Sequence, residues 1–283
     1  MILQSSLQNI DPKLMILNII VWVVIFSFAV YLLRRNILSK KKTIVLLLVS
    51  FVITGILLGA MPNSVSPINQ FFVLIGPTSS QPLIFILPML ILLLVLLTST
   101  VIFGRMYCGY SCPLGAMQEL NSKMFFKANV KEQKKVKWLI KAPTRVTKPI
   151  RWVYIIFFAI IAFVWGTAVS GVMNLFSAFQ ILQKTSELLI IPAIFFILIF
   201  ILSFFIYRPW CRFFCPFGAL SSSFNKYYQY KLVRTDNCTN CGLCEQICPT
   251  EEAYRESTKA ECYYCNRCIE VCPHDAIIWT KAV

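Results

Sequence analysis

A single histidine, His274, serves all 283 residues, and it follows directly on Cys272 and Pro273. No apolar stretch can therefore offer the paired imidazoles that hold b-type haem, and histidine-rich copper or zinc sites are excluded with it. Acid is scarce as well: 12 Asp and Glu stand against 27 Lys and Arg, a formal net charge of +15. There is no Gly-rich nucleotide fingerprint and no phosphate loop. Charged residues make up only 14% of the chain while 58% is hydrophobic, with a mean hydropathy of +0.70. That balance belongs to membrane proteins, in which a basic excess reports on topology. Nucleic acid is a poor fit, because the basic residues lie in short loops between long apolar runs rather than on a polar domain.

Five stretches are long and apolar enough to cross a hydrocarbon core, which takes about 20 helical residues. They run near Leu14 to Leu33, Thr43 to Met61, Leu83 to Phe103, Trp152 to Val169 and Leu188 to Tyr207. Met1 to Lys13 has no basic n-region and no small-residue cleavage site follows, so the first stretch is expected to stay as an anchor. Arg34, Arg35, Lys40, Lys41 and Lys42 lie between the first two stretches, and eleven basic residues from Arg105 to Arg151 lie between the third and fourth, against only Glu119 and Glu132. Arg208, Arg212, Lys226, Lys231 and Arg234 follow the fifth, whereas Pro62 to Pro82 carries no charge and Ser170 to Glu187 only Lys184 and Glu187. The positive-inside rule then predicts a multi-pass protein of the cytoplasmic membrane with its N-terminus outside and its C-terminal segment in the cytoplasm. Asn121 to Lys148 reads as a solvated or headgroup-facing surface, or as a docking site for an acidic electron carrier.

Against these scarcities stand twelve cysteines. Eight fall in two identical frames, Cys238-x2-Cys241-x2-Cys244-x3-Cys248-Pro249 and Cys262-x2-Cys265-x2-Cys268-x3-Cys272-Pro273, offset by 24 residues. This is the bacterial two-cluster ferredoxin run, in which the fourth cysteine of each frame ligates the other cluster. By that rule Cys238, Cys241, Cys244 and Cys272 hold one [4Fe-4S] cluster, and Cys262, Cys265, Cys268 and Cys248 a second. Zinc also takes C-x2-C pairs, but it does not call for the three-cysteine run, the x3-C-P ending or the duplication. The segment from Lys226 to Thr235 alternates weakly and reads as the strand entering this module. His274 reads as a surface residue beside a cluster.

The remaining four cysteines sit in a second duplication. Arg105-Met-Tyr-Cys108-Gly-Tyr-Ser-Cys112-Pro113-Leu-Gly115-Ala116 matches Arg208-Pro-Trp-Cys211-Arg-Phe-Phe-Cys215-Pro216-Phe-Gly218-Ala219, and upstream Val65 to Phe71 resembles Val169 to Phe176, with Asn69 set against Asn174. Two helical hairpins of the same orientation are predicted, related by an axis along the membrane normal. That symmetry gathers Cys108, Cys112, Cys211 and Cys215, with Pro at the first helical position after each pair. Three readings stand: a further iron–sulfur centre, redox-active dithiols, or buried structural thiols.

The two C-x3-C-P phrases together with the two ferredoxin frames resemble the membrane polyferredoxins of the NapH, MauN and NosR type, over about Thr43 to the end. The fold class is then an α-helical integral membrane protein of about five transmembrane helices with a C-terminal α+β two-cluster ferredoxin domain. Its expected parts are an anchor helix and basic loop (1–42), a duplicated hairpin domain (43–225) and a ferredoxin domain (226–283). The resemblance implies electron flow between a quinone pool or a soluble cytoplasmic carrier and a partner redox subunit, itself flavin- or haem-bearing. On this reading the chain is a quinol dehydrogenase-like subunit with quinone as a substrate, rather than a stand-alone catalyst. An electron-donating maturation factor for a metalloenzyme, or a redox-sensing membrane protein, are the alternatives.

Overall fold

The structure, a computed structural model, describes residues 12–35, 37–60, 63–75, 83–124, 140, 142–165, 174–182, 190–224 and 227–281. Each of the five apolar stretches is helical over most of its described residues. Helix α1 runs Pro12–Arg34 and α2 runs Lys40–Val49, continuing as π-helix over Ser50–Leu57. After a short helix α3 (Ser66–Ile75) comes α4 (Leu83–Phe103), and later α6 (Thr144–Trp165) and α7 (Ile190–Phe205). Among the described residues one helix, Ile16–Arg34, is long and apolar enough to cross a membrane, with Leu87–Phe103 and Ile190–Phe205 as shorter apolar helices. Met1 to Asp11, most of the basic loop (125–139) and 166–173 of the second outer loop lie outside the described residues.

Each of the two repeated segments, here termed hairpins, ends in a π-turn and a short helix that is buried over most of its residues. Tyr107–Ser111 leads to α5 (Pro113–Met124), and Trp210–Phe214 leads to α8 (Pro216–Ser223). Proline opens both helices because its missing N–H costs nothing in the first turn. α5 packs against α2 and α7, while α8 packs against α6, so the two short helices close one end of the bundle. Gly55 lets α5 seat deeply: a Cβ there would stand 2.9 Å from Phe179 and 3.1 Å from Pro113.

The upstream likeness is also visible, with a change of partner. Asn174 accepts from the Phe176 amide at 3.2 Å, and its conformational counterpart is Asn63, which accepts from Val65 and Ser66 at 3.0 and 2.9 Å. Asn69, aligned with Asn174 by sequence, lies instead within α3.

The C-terminal module begins with β1 (Tyr230–Arg234), inside the stretch that alternates in sequence, and ends with β2 (Ile277–Lys281). The strands pair antiparallel, Tyr230 opposite Lys281 and Arg234 opposite Ile277, and so tie both ends of the two cysteine frames together. Tyr230 stacks on Trp279 at 4.8 Å, and Phe103 at the end of α4 stacks on both rings. α1 joins the same core through Ile25, Leu32 and Leu33, and sets Trp22 edge-on to Tyr107 at 5.4 Å. The first helix thus packs along one side against the hairpin layer and the module.

Candidate metal centres

The two ferredoxin frames repeat in backbone as well as in sequence. Asn240, Gly242 and Glu251 have positive φ, and so do Tyr264, Asn266 and Asp275, each 24 residues later. Left-handed residues before and after the second cysteine of each frame curl the loop so that its cysteines converge. Helix α9 (Leu243–Ile247) then starts after Gly242, and α10 (Arg267–Glu270) after Asn266. Two cavities result. Cys238, Cys241, Cys244 and Cys272 line one, which we call outer, and Cys248, Cys262, Cys265 and Cys268 line the other, inner, cavity. Each therefore draws three cysteines from one frame and the fourth from the other. Four thiols line each, with His274 beside the outer set, and four thiols suit an iron–sulfur cube.

The frames differ in setting. Cys241 is exposed and Cys238 half-buried, whereas the second frame is pressed against the ends of the hairpins. Gly109 makes the approach possible, since a Cβ there would lie 2.5 Å from the Tyr263 carbonyl oxygen. Gly104, at φ 67°, does the same for the Tyr264 hydroxyl. Tyr110 donates to the Tyr264 carbonyl at 2.6 Å and receives from Asn266 Nδ2 at 3.2 Å.

Two buried carboxylates rivet this contact. Glu261 takes Arg105 Nη1 at 2.9 Å, Arg151 Nη2 at 2.6 Å and the Tyr263 hydroxyl at 3.1 Å. Glu119 takes Arg208 Nε at 2.9 Å, the Tyr207 hydroxyl at 2.7 Å and Arg267 Nη2 at 3.0 Å. Burial alone would push both carboxyls up, but Arg267 and Arg208 hold Glu119 down at about 2, and Arg105 and Arg151 do the same for Glu261. Both acids are thus ionised at neutral pH, each between two guanidiniums. Arg208 also stands over the Tyr263 ring, 4.5 Å from its centre.

The four C-x3-C-P cysteines are all buried and belong to one hydrophobic core cluster. A thiolate at Cys211 would raise Cys108, and thiolates at Cys108 and Cys211 would raise Cys112 and Cys215, so the four lie within electrostatic reach of one another. Their turns match bond for bond: the Cys112 amide reaches the Tyr107 carbonyl and the Cys215 amide the Trp210 carbonyl, both at 2.9 Å. Gly115 and Gly218 let each short helix lie on the carbonyl of its own first cysteine, where a Cβ would come within 2.2 and 2.9 Å. The halves are also cross-braced. Arg208 donates to the Cys108 carbonyl at 2.7 Å, Arg105 to the Gly218 carbonyl, and Gln118 contacts Cys211 Sγ at 3.5 Å while accepting from the Trp210 amide at 3.0 Å.

Burial pushes all four thiols up, Cys108 to about 12 even with Arg105 beside it. Around them Arg105, Arg151, Arg208 and Arg212 are fully buried, against Glu119 and Glu261. Arg212 Nε and Nη1 have no hydrogen-bond partner among the described residues. Buried charge without a counter-charge costs several kcal/mol, about 3–5 when a partner is missing. A layer with more guanidinium than carboxylate therefore suits anionic thiolate-ligated centres on either side of it.

The sequence pattern marks every cysteine gathered here but gives no site role to Gln118, Glu119, Arg151, Glu261, Tyr263 or Arg267. Glu119 carried a signal, being one of two acids in a long basic stretch.

Comparison with known proteins follows the same lines. Residues 85–131 and 188–234 each match a family described as a 4Fe-4S binding domain, the two copies displaced by 103 residues as Cys108 is from Cys211, and 232–251 matches a second family of that description. Over 198 residues, covering 67% of this chain and 78% of the relative, the chain is 30% identical to an uncharacterised protein of Methanocaldococcus jannaschii. It is 26% identical over 194 residues to YccM of Escherichia coli, provisionally named an electron transport protein, spanning 65% of this chain and 53% of that one. To the ferredoxin-type protein NapH of Escherichia coli it is 22% identical over 191 residues, 62% of each chain. No solved structure matches. Doubled C-x3-C-P halves, a ferredoxin segment and these relatives agree, and the chain belongs to the NapH-like polyferredoxin family of iron–sulfur electron-transfer proteins.

Proposed function

We propose that the chain is a multi-pass membrane subunit that relays electrons between a quinone pool or a soluble cytoplasmic carrier and a partner redox subunit. The observation that carries this reading is the pair of cavities, each lined by four cysteines drawn from both frames. Cys238, Cys241, Cys244 and Cys272 would hold one [4Fe-4S] cluster, and Cys248, Cys262, Cys265 and Cys268 the other. Cys108, Cys112, Cys211 and Cys215 would hold a further iron–sulfur centre, a reading supported by their burial under a layer rich in guanidinium. Bound there, the clusters supply reversible one-electron transfer, at potentials set by charge, hydrogen bonding and exposure. The chain's own residues align and insulate these sites: Tyr263, Tyr207 and the Glu119 and Glu261 ion pairs exclude water between the inner cavity and the quartet.

Membrane embedding is supported by the outward faces of the five long helices. Val23, Val24, Val52, Leu94, Ile156 and Ile194 are among many large apolar side chains left exposed on them. A patch of that extent on five neighbouring helices needs an apolar surround. Arg34, Arg35, Lys40, Lys41 and Lys42 stand exposed at the ends of α1 and α2, and support an inner, cytoplasmic side there. The hairpin part (43–225) would then lie in the bilayer with α1 packed against it, and the ferredoxin part (226–283) in the cytoplasm.

Anaerobic purification with partners retained tests the function: clusters reduced by a quinol or by a reduced soluble ferredoxin support it, and clusters inert to both refute it. Iron counting tests the quartet. About twelve irons per chain, falling to about eight in Cys108→Ala and Cys211→Ala, support a third cube. About eight in all three proteins, with unchanged spectra, rule it out.

A further inference from the structure

The position that follows the left-handed residue in each frame is Leu243 in the first and Arg267 in the second. Arg267 is buried, lines the inner cavity between Cys265 and Cys268, and donates through Nη2 to Glu119 at 3.0 Å and to Ser122 Oγ at 2.8 Å. Both acceptors belong to α5, so a carboxylate supplied by the hairpin layer stands one guanidinium away from the inner cysteines. At the outer cavity Leu243 offers no counterpart, and the nearby Arg234–Glu245 pair is partly open to solvent.

We propose that Arg267 and Glu119 set the reduction potential of the inner centre from opposite sides, so that docking on the hairpin layer tunes a centre of the ferredoxin module. The inference rests on the ligand assignment proposed above. Adding an electron places negative charge at the centre. A neighbouring carboxylate opposes this and a guanidinium favours it, and in a buried site neither charge is screened by water. Glu119 is a positioning residue here: it touches no ligand directly and acts through Arg267 and its own field.

The test is a redox titration of the full chain, purified anaerobically and followed by electron paramagnetic resonance (EPR). Glu119→Gln should raise the potential of the inner centre and Arg267→Gln should lower it, while the outer centre stays unmoved in both and serves as the internal reference. Glu119→Asp keeps the charge and should stay close to the parent. Shifts of the same sign in Glu119→Gln and Arg267→Gln, equal shifts at both centres, or no shift with both centres intact would overturn the proposal. If Glu119→Gln does not retain the inner centre, Arg267→Leu, which installs the residue of the outer frame, decides alone: a lowered potential supports the proposal, and an unchanged or raised one refutes it. A signal assigned to the inner centre that survives Cys265→Ser would instead defeat the ligand assignment, and this inference with it.

Discussion

The two cysteine frames share a sequence pattern and a set of left-handed residues, yet one is built for the surface and the other for an interface. Outside the cysteines, the first frame carries Asn240, Gly242 and Leu243, and the second Tyr264, Asn266 and Arg267 at the same positions. Every one of the second set makes a contact that the first set lacks: Tyr264 to the Tyr230 carbonyl, Asn266 to Tyr110, Arg267 to Glu119. Duplication therefore supplies two equal cradles, and a handful of substitutions in one of them fixes which is buried against the hairpins. The C-x3-C-P turns teach the same lesson. Gly109 in one lets the second frame approach, and Arg212 in the equivalent place of the other fills the space and adds a buried charge.

The largest break in that comparison comes from Glu261→Gln, which leaves Arg105 and Arg151 buried without their carboxylate. The expected loss is about 3–5 kcal/mol at the interface. It should appear as faster proteolytic release of the C-terminal module, with the inner centre lost before the outer one. Next is Gly109→Ala, whose methyl group meets the Tyr263 carbonyl at 2.5 Å. Overpacking of this kind costs about 1–3 kcal/mol, and a lowered denaturation midpoint in detergent, or increased accessibility of Tyr263 to footprinting, would reveal it. Asn266→Gly keeps the left-handed backbone and removes the hydrogen bond to Tyr110, so about 0.5–1.5 kcal/mol should be lost. The reciprocal exchange, Gly242→Asn, should be the mildest, because Asn bears the left-handed conformation more easily than other side chains and the added Cβ meets only the Gln246 side chain at 3.9 Å. A Gly242→Asn variant as damaged as Asn266→Gly would remove the distinction between the frames.

Much of this is legible in the sequence. The cysteine spacings named the two crossed sets, and the cavities are lined by the same sets. The repeated R-x-aromatic-C-x3-C-P-x-G-A phrase announced a doubled turn whose backbone bonds do repeat. What the phrase did not say is why its arginine is there. Arg105 and Arg208 count as loop charges in a topology rule, yet both are fully buried, each bonded to a carbonyl of the opposite half and to a carboxylate far away in sequence. Ion pairs that join residues more than 80 positions apart leave no local period to read. Gly109 and Gly104 are similar cases: a close approach of two chains is visible only when both are in place.

The central claim, that each centre takes its fourth ligand from the other frame, is tested most directly by EPR of the reduced protein bearing Cys248→Ser. Crossed ligation predicts that this variant loses or alters the same signal as Cys265→Ser and keeps the one lost in Cys241→Ser. Loss of the Cys241-dependent signal instead, or no iron–sulfur signal in the parent protein, would contradict it.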